Sequence, residues 1–299
     1  MSSNAQSDAL AAMRSTIRND AGDEATIAAA GRRRARRRRF LVVLTQVVLL
    51  IAIVGGWQLL TDLKIVDRFF FGQPSGIYSQ LRDWFEHGTA FGSIWLQIWV
   101  TLKEALLGFV YGVGAGIILG ILLGQVPFLA EVLGPYIKVM NAIPRIVLGS
   151  IFVVWLGLGT PSKVALAAVL VFFVVFFNAF QGVREVDRNL VANARVLGAS
   201  RLQVVRHVVL PSALTWIIAS LHVAFGFAVI GAIVGEFLGA QQGLGLVIAT
   251  SQGTLNADGV FAAMLIIAVI ALSAEFLIGL LEHRLLAWRP PSPTQTGST

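Results

Sequence analysis

Long apolar runs, separated by shorter polar segments, dominate the pattern of this chain. The first run, residues 40–60, holds 21 consecutive uncharged residues. At about 1.5 Å per residue, this length is enough to cross the roughly 30 Å hydrocarbon core of a bilayer. Further apolar stretches cover residues 99–123, 132–156, 164–180, 213–238 and 260–281. The pattern therefore predicts an all-α integral membrane protein with six transmembrane helices.

The composition agrees with this pattern and excludes several other classes of protein. Of the 299 residues, 56% are hydrophobic and only 13% are charged, against about a quarter charged in an ordinary soluble domain. Such a chain is neither a disordered protein nor a soluble DNA-binding domain. It contains no cysteine, which excludes disulfide bonds and thiolate metal sites or nucleophiles.

The distribution of basic residues predicts the orientation of the chain. With a cytoplasmic N-terminus, nine Lys and Arg residues lie in the N-terminal tail, five in the loop at 182–212 and two in the C-terminal tail, whereas four lie on the other side. Because positive charge favours the cytoplasmic side, we expect both termini in the cytoplasm. The predicted organisation is a disordered basic tail at 1–39, a six-helix membrane domain at 40–289 and a short tail at 290–299.

The second apolar stretch carries a ladder of glycines at a spacing of four residues: Gly108, Gly112, Gly116, Gly120 and Gly124. This spacing places all five on one face of a helix. Small residues on a membrane helix let a neighbouring backbone approach closely. We therefore predict that this face packs against another helix.

The third stretch contains Asn141, Pro144 and Arg145 near its middle. Proline bends a helix, and an arginine at the bilayer centre costs about 2.5–3.5 kcal/mol unless it faces a partner or a wet cavity. Two interpretations stay open. Arg145 either pairs with Glu236 or Glu275 from another span, or it lines a path through the membrane beside Asn141 and Pro144.

A glycine-rich segment at 235–246 follows the fifth span and holds one acid, Glu236. Irregular backbone at membrane depth is tolerated only when it is buried in protein or lines a cavity. We expect a re-entrant gate at the outer mouth, with Glu236 held by hydrogen bonds or by a base. Glu236 thus joins Asn141, Pro144 and Arg145 as a candidate residue of the path. An ordinary external loop is the alternative.

The loop at 182–212 has the pattern of two short helices joined by a turn. Apolar residues recur at steps of three and four at Val183, Val186, Leu190, Ala194 and Leu197, with charged residues around the rest. A left-handed glycine at 198 fits the end of this amphipathic helix. A serine cap at 200 and a proline at 211 bound the second helix. From the periodicity alone, a membrane-surface loop without a partner stays open.

At this loop the sequence resembles the membrane subunits of binding-protein-dependent ABC importers, in particular the nitrate, sulfonate and taurine permease group. The family pattern is Glu-Ala-Ala, three residues, Gly, nine residues, and Ile-x-Leu-Pro. The matching positions are Ala194, Gly198, Val208, Leu210 and Pro211. The opening departs from the pattern, because alanine and asparagine stand at 192 and 193 in place of Glu-Ala.

The resemblance extends over about residues 55–289. Similar stretches lie at 142–146 (Ala-Ile-Pro-Arg-Ile), 155–159 (Trp-Leu-Gly-Leu-Gly), 162–164 (Ser-Lys-Val), 181–184 (Gln-Gly-Val-Arg), 197–201 (Leu-Gly-Ala-Ser-Arg), 235–240 (Gly-Glu-Phe-Leu-Gly-Ala) and 243–245 (Gly-Leu-Gly). The run of arginines in the tail is not part of the family pattern. An ordered series of motifs over six spans is specific, whereas one glycine and one Leu-Pro pair would not be.

The resemblance implies a type I importer permease in the bacterial inner membrane. Such a chain forms the solute path with a second membrane subunit, either a copy or a paralogue. A pair of cytoplasmic ATPases binds the ATP, and an external binding protein delivers a small organic or inorganic anion. The implied ATPase-coupling residues are Ala194, Arg195, Gly198, Ala199, Ser200, Val208, Leu210 and Pro211. The sequence leaves the solute open.

Other functions have less support in the sequence. The chain has no Gly-x-x-x-x-Gly-Lys-Ser/Thr phosphate loop, no Gly-x-Ser-x-Gly and no His-Glu-x-x-His. We therefore expect no enzymatic activity, no cofactor and no metal in this chain. The closer alternative is a stand-alone ion-coupled transporter or channel, in which Arg145, Glu236 and Glu275 form a buried relay.

Overall fold

The computed structural model describes residues 35–285. Helix α1 spans Ala35–Asp62 and is long and apolar enough to cross a membrane. It forms a structural unit apart from the rest of the described chain. The helix includes residues 35–39, the end of the segment predicted as a disordered tail, and these residues, alanine and arginine, are good helix formers. The rest of that tail and the segment 290–299 lie outside the described residues.

The second unit is a bundle of helices. Their bounds are α2 Arg68–Phe71, α3 Pro74–Glu86, α4 Ile94–Gln125, α5 Pro127–Ala142, α6 Leu148–Leu156, α7 Thr160–Arg184, α8 Arg188–Val196, α9 Arg201–Val204, α10 Leu210–Leu238, α11 Leu244–Gly253 and α12 Ala257–Leu285. Within 35–285, five helices can each cross a membrane, and six spans result when one bent pair counts as one. The predicted six-span, all-α fold is confirmed.

Helix α7 lies at the centre of the bundle. The face of α4 that carries the glycine ladder packs against it. A Cβ atom added at Gly112 would lie 2.6 Å from the carbonyl oxygen of Ala168. One added at Gly120 would lie 2.7 Å from the Cβ of Ala179. Both distances are shorter than van der Waals contact. The predicted role of the glycine ladder in close helix packing is confirmed.

Helix α10 packs against the same central helix. A Cβ atom at Gly231 would lie 2.5 Å from the Cα of Ala167, and one at Gly235 would lie 3.1 Å from the Cα of Lys163. About one helical turn beyond the Gly231 contact, Val171 and Ala228 are fully buried in a shared apolar core. Helices α4, α7 and α10 therefore form a tight three-helix unit.

The third span is broken, as Pro144 predicts. Helix α5 ends at Ala142, and Ile143 and Pro144 have extended backbone. A single 3₁₀ turn, Arg145–Val147, then leads into α6, and the two halves are bent by 75°. Proline disfavours the helical conformation of the residue before it, so the break falls at Ile143.

The loop at 182–212 forms the two predicted helices, α8 and α9. Gly198 has a φ of +83°, and the Ser200 side chain caps α9 in a capping box with Gln203. We call residues 196–202 the elbow. Pro211 does not end the second helix as predicted. A π-helical turn at Val205–Val209 joins α9 to α10, so that the helix runs from Arg201 to Leu238 and Pro211 follows directly after the π turn.

The apolar face of α8 differs from the predicted one. Val183 belongs to the end of α7, and Val191 packs against the core beneath the loop. Leu190 and Leu197 are exposed instead. Val183, Val186 and Ala194 of the predicted face all belong to or pack against this core cluster, so the observed face departs from the prediction only at Leu190 and Leu197.

At the opposite end of the bundle, Asp258 holds α2 and α3 against α12. Its Oδ2 accepts a hydrogen bond of 3.0 Å from Arg68, and its Oδ1 accepts one of 2.8 Å from the Gln73 backbone. Gly76 allows this approach, since a Cβ atom there would lie 2.2 Å from Asp258 Oδ2. The short helices at this end are thereby fixed to the membrane-spanning bundle.

Candidate functional site

The elbow combines a packed inner side with an apolar outer side. Val208 and Ala199 pack against a buried cluster beneath the loop. Val196, Leu197 and Leu202 are 85%, 87% and 76% exposed. Apolar side chains gathered in this way on a polar loop are typical of a protein contact surface.

The predicted coupling residues divide into two groups at this loop. A cavity of about 330 Å³ is lined by Ala194, Leu197, Gly198, Ala199, Gln203, His207 and Val208. Arg195 and Ser200 are exposed beside it, and Leu210 and Pro211 lie further along the continuous helix. The structure thus brings four of the eight predicted residues around one cavity.

The break in the third span brings together three of the four predicted path residues. Arg145 donates a hydrogen bond to Asn141 Oδ1, and its guanidinium lies 4.6 Å from the centre of the Phe173 ring. Asn141, Ile143 and Pro144 are exposed at this point in the described chain. Glu236 is not part of this group, because it is 1% exposed and lies in a separate polar cluster.

That cluster is organised by the Glu236 carboxylate. Oε1 accepts a hydrogen bond of 2.7 Å from the Thr101 hydroxyl, and Oε2 accepts one of 2.6 Å from the backbone N–H of Gly245. The Thr101 oxygen accepts a further bond of 2.8 Å from the N–H of Leu244. The carboxylate and the hydroxyl thus hold the start of α11 against α4 and α10.

Gln97 completes this arrangement from the first turn of α4. Its side-chain oxygen accepts a hydrogen bond of 2.7 Å from Gly243 N–H, and its nitrogen donates one of 2.9 Å to the Phe91 carbonyl. Three successive N–H groups at the α11 N-terminus, which a helix leaves unpaired, are therefore bound by buried side chains. We call Gln97, Thr101, Glu236 and the backbone at 243–245 the latch.

Two further charged residues are buried beside the latch. Lys163 is 1% exposed and donates a hydrogen bond to the carbonyl of Leu158. The Glu104 carboxyl group approaches the side chains of Thr160 and Glu236. Its Oε2 is buried and has no hydrogen-bond partner in the described part of the chain. Buried charges are usually paired, so Lys163 offsets part of the negative charge here.

The carboxylates considered as partners of Arg145 have other partners. Glu236 belongs to the latch, and Glu275 bonds to His222 Nδ1 at 2.7 Å. The other ring nitrogen of His222 lies 2.9 Å from Glu282. The proposed relay residues Arg145, Glu236 and Glu275 thus contact different groups within the described chain. Among residues 35–285, no group of three His, Cys, Asp or Glu side chains could hold a metal ion.

The sequence interpretation missed Gln97, Thr101, Glu104 and Lys163. A signal for three of them was present, since Gln97, Thr101 and Glu104 follow a spacing of four and three residues. This spacing places them on the same helix face as the glycine ladder that begins at Gly108. Polar residues on a face that packs against another helix are buried, and buried polar groups need partners.

Comparison with known protein families assigns the chain to a family. The model of the binding-protein-dependent transport system inner membrane component matches residues 112–287. The chain belongs to this family of ABC importer permeases. The match includes the elbow, the broken span and the part of the latch that lies after α4. The predicted family is therefore confirmed.

Curated relatives cover most of the permease. It is 34% identical over 232 residues to the riboflavin transport system permease protein of Chloroflexus aurantiacus, with 78% of this chain and 85% of that one covered. It is 31% identical over 238 residues to a putative aliphatic sulfonates permease of Bacillus subtilis, covering 80% and 85%. The taurine permease of Escherichia coli is 28% identical over 233 residues, covering 78% and 85%.

A solved structure supports the fold of the permease. The permease resembles a chain of the MetNI methionine ABC transporter in an inward-facing conformation, with a TM-score of 0.57 and 21% sequence identity. The similarity covers 64% of this chain and 97% of that chain. The predicted type I importer fold is confirmed.

Proposed function

We propose that this permease forms a solute path at its interface with a second membrane subunit, in an importer that separate ATPases drive. The observation that carries the proposal is the exposed break in the third span. Ile143 and Pro144 are exposed residues with extended backbone between two apolar helices. Irregular backbone at membrane depth is tolerated only when it is buried in protein or lines a water-filled cavity.

The polar groups beside the break support the same proposal. Asn141 is exposed, and the guanidinium of Arg145 is held between Asn141 and Phe173. A charged group facing lipid at this depth is costly. A second subunit, either a copy or a paralogue, would cover this face and leave Arg145 and Asn141 beside a wet path. The fixed donors of Arg145 suit an anion that crosses the path.

The elbow supports coupling to an ATPase. Its three exposed apolar side chains surround a turn that the left-handed Gly198 makes possible. In this proposal, a cytoplasmic ATP-binding subunit covers these side chains and the cavity beside them. The elbow is placed on the cytoplasmic side because the loops and tails on that side of the membrane carry the excess of basic residues. Both termini then lie in the cytoplasm of a bacterial cell.

The latch supports a gate at the outer end. Residues 239–243 are the non-helical part of the predicted gate segment, since α10 continues to Leu238. The latch holds this segment closed in the present conformation. Glu236 then acts on the path by fixing the gate, without lining the path itself.

The relatives indicate the range of solutes. Their names refer to riboflavin, aliphatic sulfonates and taurine. The sulfonate and taurine names, together with Arg145 at the break, support uptake of a small organic or inorganic anion. An external binding protein delivers the solute to the outer gate.

ATP dependence tests this function directly. The permease, with the ATP-binding subunit that co-purifies from its native cells, is reconstituted in vesicles containing ATP or a non-hydrolysable analogue. Labelled taurine, ethanesulfonate and benzoate serve as probes, with the binding protein outside. Uptake that requires ATP supports the importer. Equal uptake with the analogue supports a stand-alone transporter or channel and contradicts the proposal.

The elbow is tested with Gly198→Asp. We expect this variant to lose co-purification of the ATP-binding subunit and transport-coupled hydrolysis, because a side chain at a φ of +83° strains the turn. Gly253→Asp is the matched control, since Gly253 also has open space around it and lies at the end of α11. Unchanged co-purification with Gly198→Asp would contradict the coupling role.

A further inference from the structure

A cavity of about 440 Å³ lies between α5 and α7, and its lining is aromatic and charged. Phe176, Phe177 and Phe180 form the α7 wall, and Lys138 and Arg184 lie on the two sides. Its volume is in the range of about 300–1,000 Å³ that is typical of small-molecule sites. The cavity lies next to the break in the third span. Phe173, which contacts Arg145 at the break, is one turn of α7 before Phe177, which lines the cavity.

The aromatic wall has an ordered geometry. The rings of Phe176 and Phe180 lie 6.0 Å apart with an interplanar angle of 18°, and the ring of Phe172 continues this row at 5.4 Å and 24°. Phe177 stacks on Phe173 at 6.3 Å. These near-parallel rings stack on one another along α7, and part of the row forms an aromatic wall of the cavity. An aliphatic solute would gain only the burial of its apolar surface against this wall. An aromatic solute would also make ring–ring contacts, which add about 0.5–1.5 kcal/mol beyond the buried area.

The charges of the cavity favour an anion. Lys138 and Arg184 each carry one positive charge, and Glu131 is the only acid among the lining residues of this described cavity. The guanidinium of Arg184 lies 5.4 Å from the centre of the Phe180 ring. A guanidinium held beside the aromatic wall in this way can bind a carboxylate or sulfonate whose ring contacts the same wall.

We infer that this cavity binds a planar aromatic anion as it moves along the path, an inference that rests on the path proposed above. The rings bind the flat part of the molecule. Lys138 and Arg184 bind its acidic group. Aliphatic sulfonates and inorganic anions satisfy only the second part of this site and bind more weakly.

Two acids with the same carbon skeleton test the inference. The fluorescent 2-naphthoate is aromatic, and decahydro-2-naphthoate is its saturated counterpart, while 2-naphthamide lacks the charge. Binding to the purified full-length permease in detergent is measured by naphthoate fluorescence and by competition. We expect 2-naphthoate to bind about 10-fold more tightly than the saturated acid, which corresponds to about 1.4 kcal/mol. Equal affinity for the two acids would overturn the inference.

Variants assign the preference to the cavity. Phe180→Leu should remove the preference for the aromatic acid, and Lys138→Gln should weaken naphthoate binding towards that of the amide. Phe128→Leu and Arg206→Gln are the controls, because both residues are exposed and neither lines the cavity. All variants are first matched for monodisperse elution and thermal stability. A preference that survives both Phe177→Leu and Phe180→Leu would contradict the assignment.

An anionic lipid headgroup is the other occupant that the test distinguishes. Phosphatidylglycerol that binds in nanodiscs in a Lys138-dependent way, without competition from 2-naphthoate, would make this a lipid site and overturn the inference. The proposed importer function and this inference can be contradicted independently of each other. ATP-dependent uptake without aromatic preference contradicts only this inference, and aromatic preference with ATP-independent uptake contradicts only the proposed function.

Discussion

The Thr101 hydroxyl donates a hydrogen bond of 2.7 Å to Glu236, a residue 135 positions away in the sequence. The same oxygen accepts a bond from the backbone N–H of Leu244. One threonine therefore joins α4 to both α10 and α11. All of these groups are buried, so water cannot replace the bonds without opening the structure.

The substitution Thr101→Val tests the contribution of this threonine to stability. Valine has nearly the same shape but leaves the Leu244 N–H and one oxygen of Glu236 without their partner. Each buried unsatisfied group costs about 1–3 kcal/mol. We expect the thermal midpoint of the purified permease to fall by several degrees. Thr254→Val is the control, since Thr254 bonds only to carbonyls of its own turn. An equal effect of both substitutions would contradict the importance of the latch.

The glycine ladder predicts a sharp difference between two alanine substitutions on the same helix. Gly120→Ala places a methyl group 2.7 Å from the Cβ of Ala179, whereas Gly114 has no atom within 4 Å. We expect Gly120→Ala to reduce the yield of monodisperse protein and its thermal midpoint. Gly114→Ala should stabilise α4 slightly, because alanine is the better helix former by about 1 kcal/mol. Similar behaviour of the two variants would contradict close packing against α7.

The gate predicts state-dependent labelling at Leu244. The chain has no cysteine, so Leu244→Cys gives a single reporter. Leu244 is fully buried, and we expect little reaction with a membrane-impermeant maleimide in the resting complex. Trapping the complex with ATP should increase the labelling rate at least ~10-fold if the latch opens. Leu255→Cys, at an exposed position after α11, is the control. Labelling of Leu244→Cys that does not change with nucleotide would count against gating.

The substitution Arg145→Gln separates a path residue from a structural one. The guanidinium contacts Asn141 and Phe173, and loss of the ring contact costs only about 0.5–2 kcal/mol. We therefore expect normal assembly and a selective loss of anion uptake in the vesicle assay. Arg82→Gln, at an exposed pair on α3, is the control.

Two other outcomes of the Arg145 experiment are informative. Failed assembly that is rescued by neutralising Glu236 or Glu275 as well would indicate a structural ion pair, across the subunit interface or in another conformation. Full uptake by the single variant would contradict both interpretations of Arg145.

Features that depend on local sequence could be predicted well. The spacing of the glycines predicts the packed face of α4, and Pro144 predicts the break, because each effect comes from a few neighbouring residues. The turn at Gly198 and the cap at Ser200 are local in the same way. Such features need no knowledge of which helices meet.

The latch could not be predicted in this way, because it depends on contacts between distant segments. The sequence predicts that Glu236 is held by hydrogen bonds or by a base, but nothing in it identifies Thr101 and the backbone of Gly245 as the partners. The π-helical turn at Val205–Val209 was missed for a different reason. A proline normally ends a helix, and the turn that accommodates Pro211 has no sequence signature comparable to a cap.

The helix that contains this π turn runs without interruption from Arg201 to Leu238. At 1.5 Å per residue its 38 residues form a rod of about 57 Å. One tip of the rod lies in the elbow, and the other carries Glu236. In the proposed importer, a displacement of the elbow would reach the latch along this one helix. The π turn and Pro211 interrupt the regular α-helical hydrogen-bond pattern close to the elbow, and helices bend most readily at such positions.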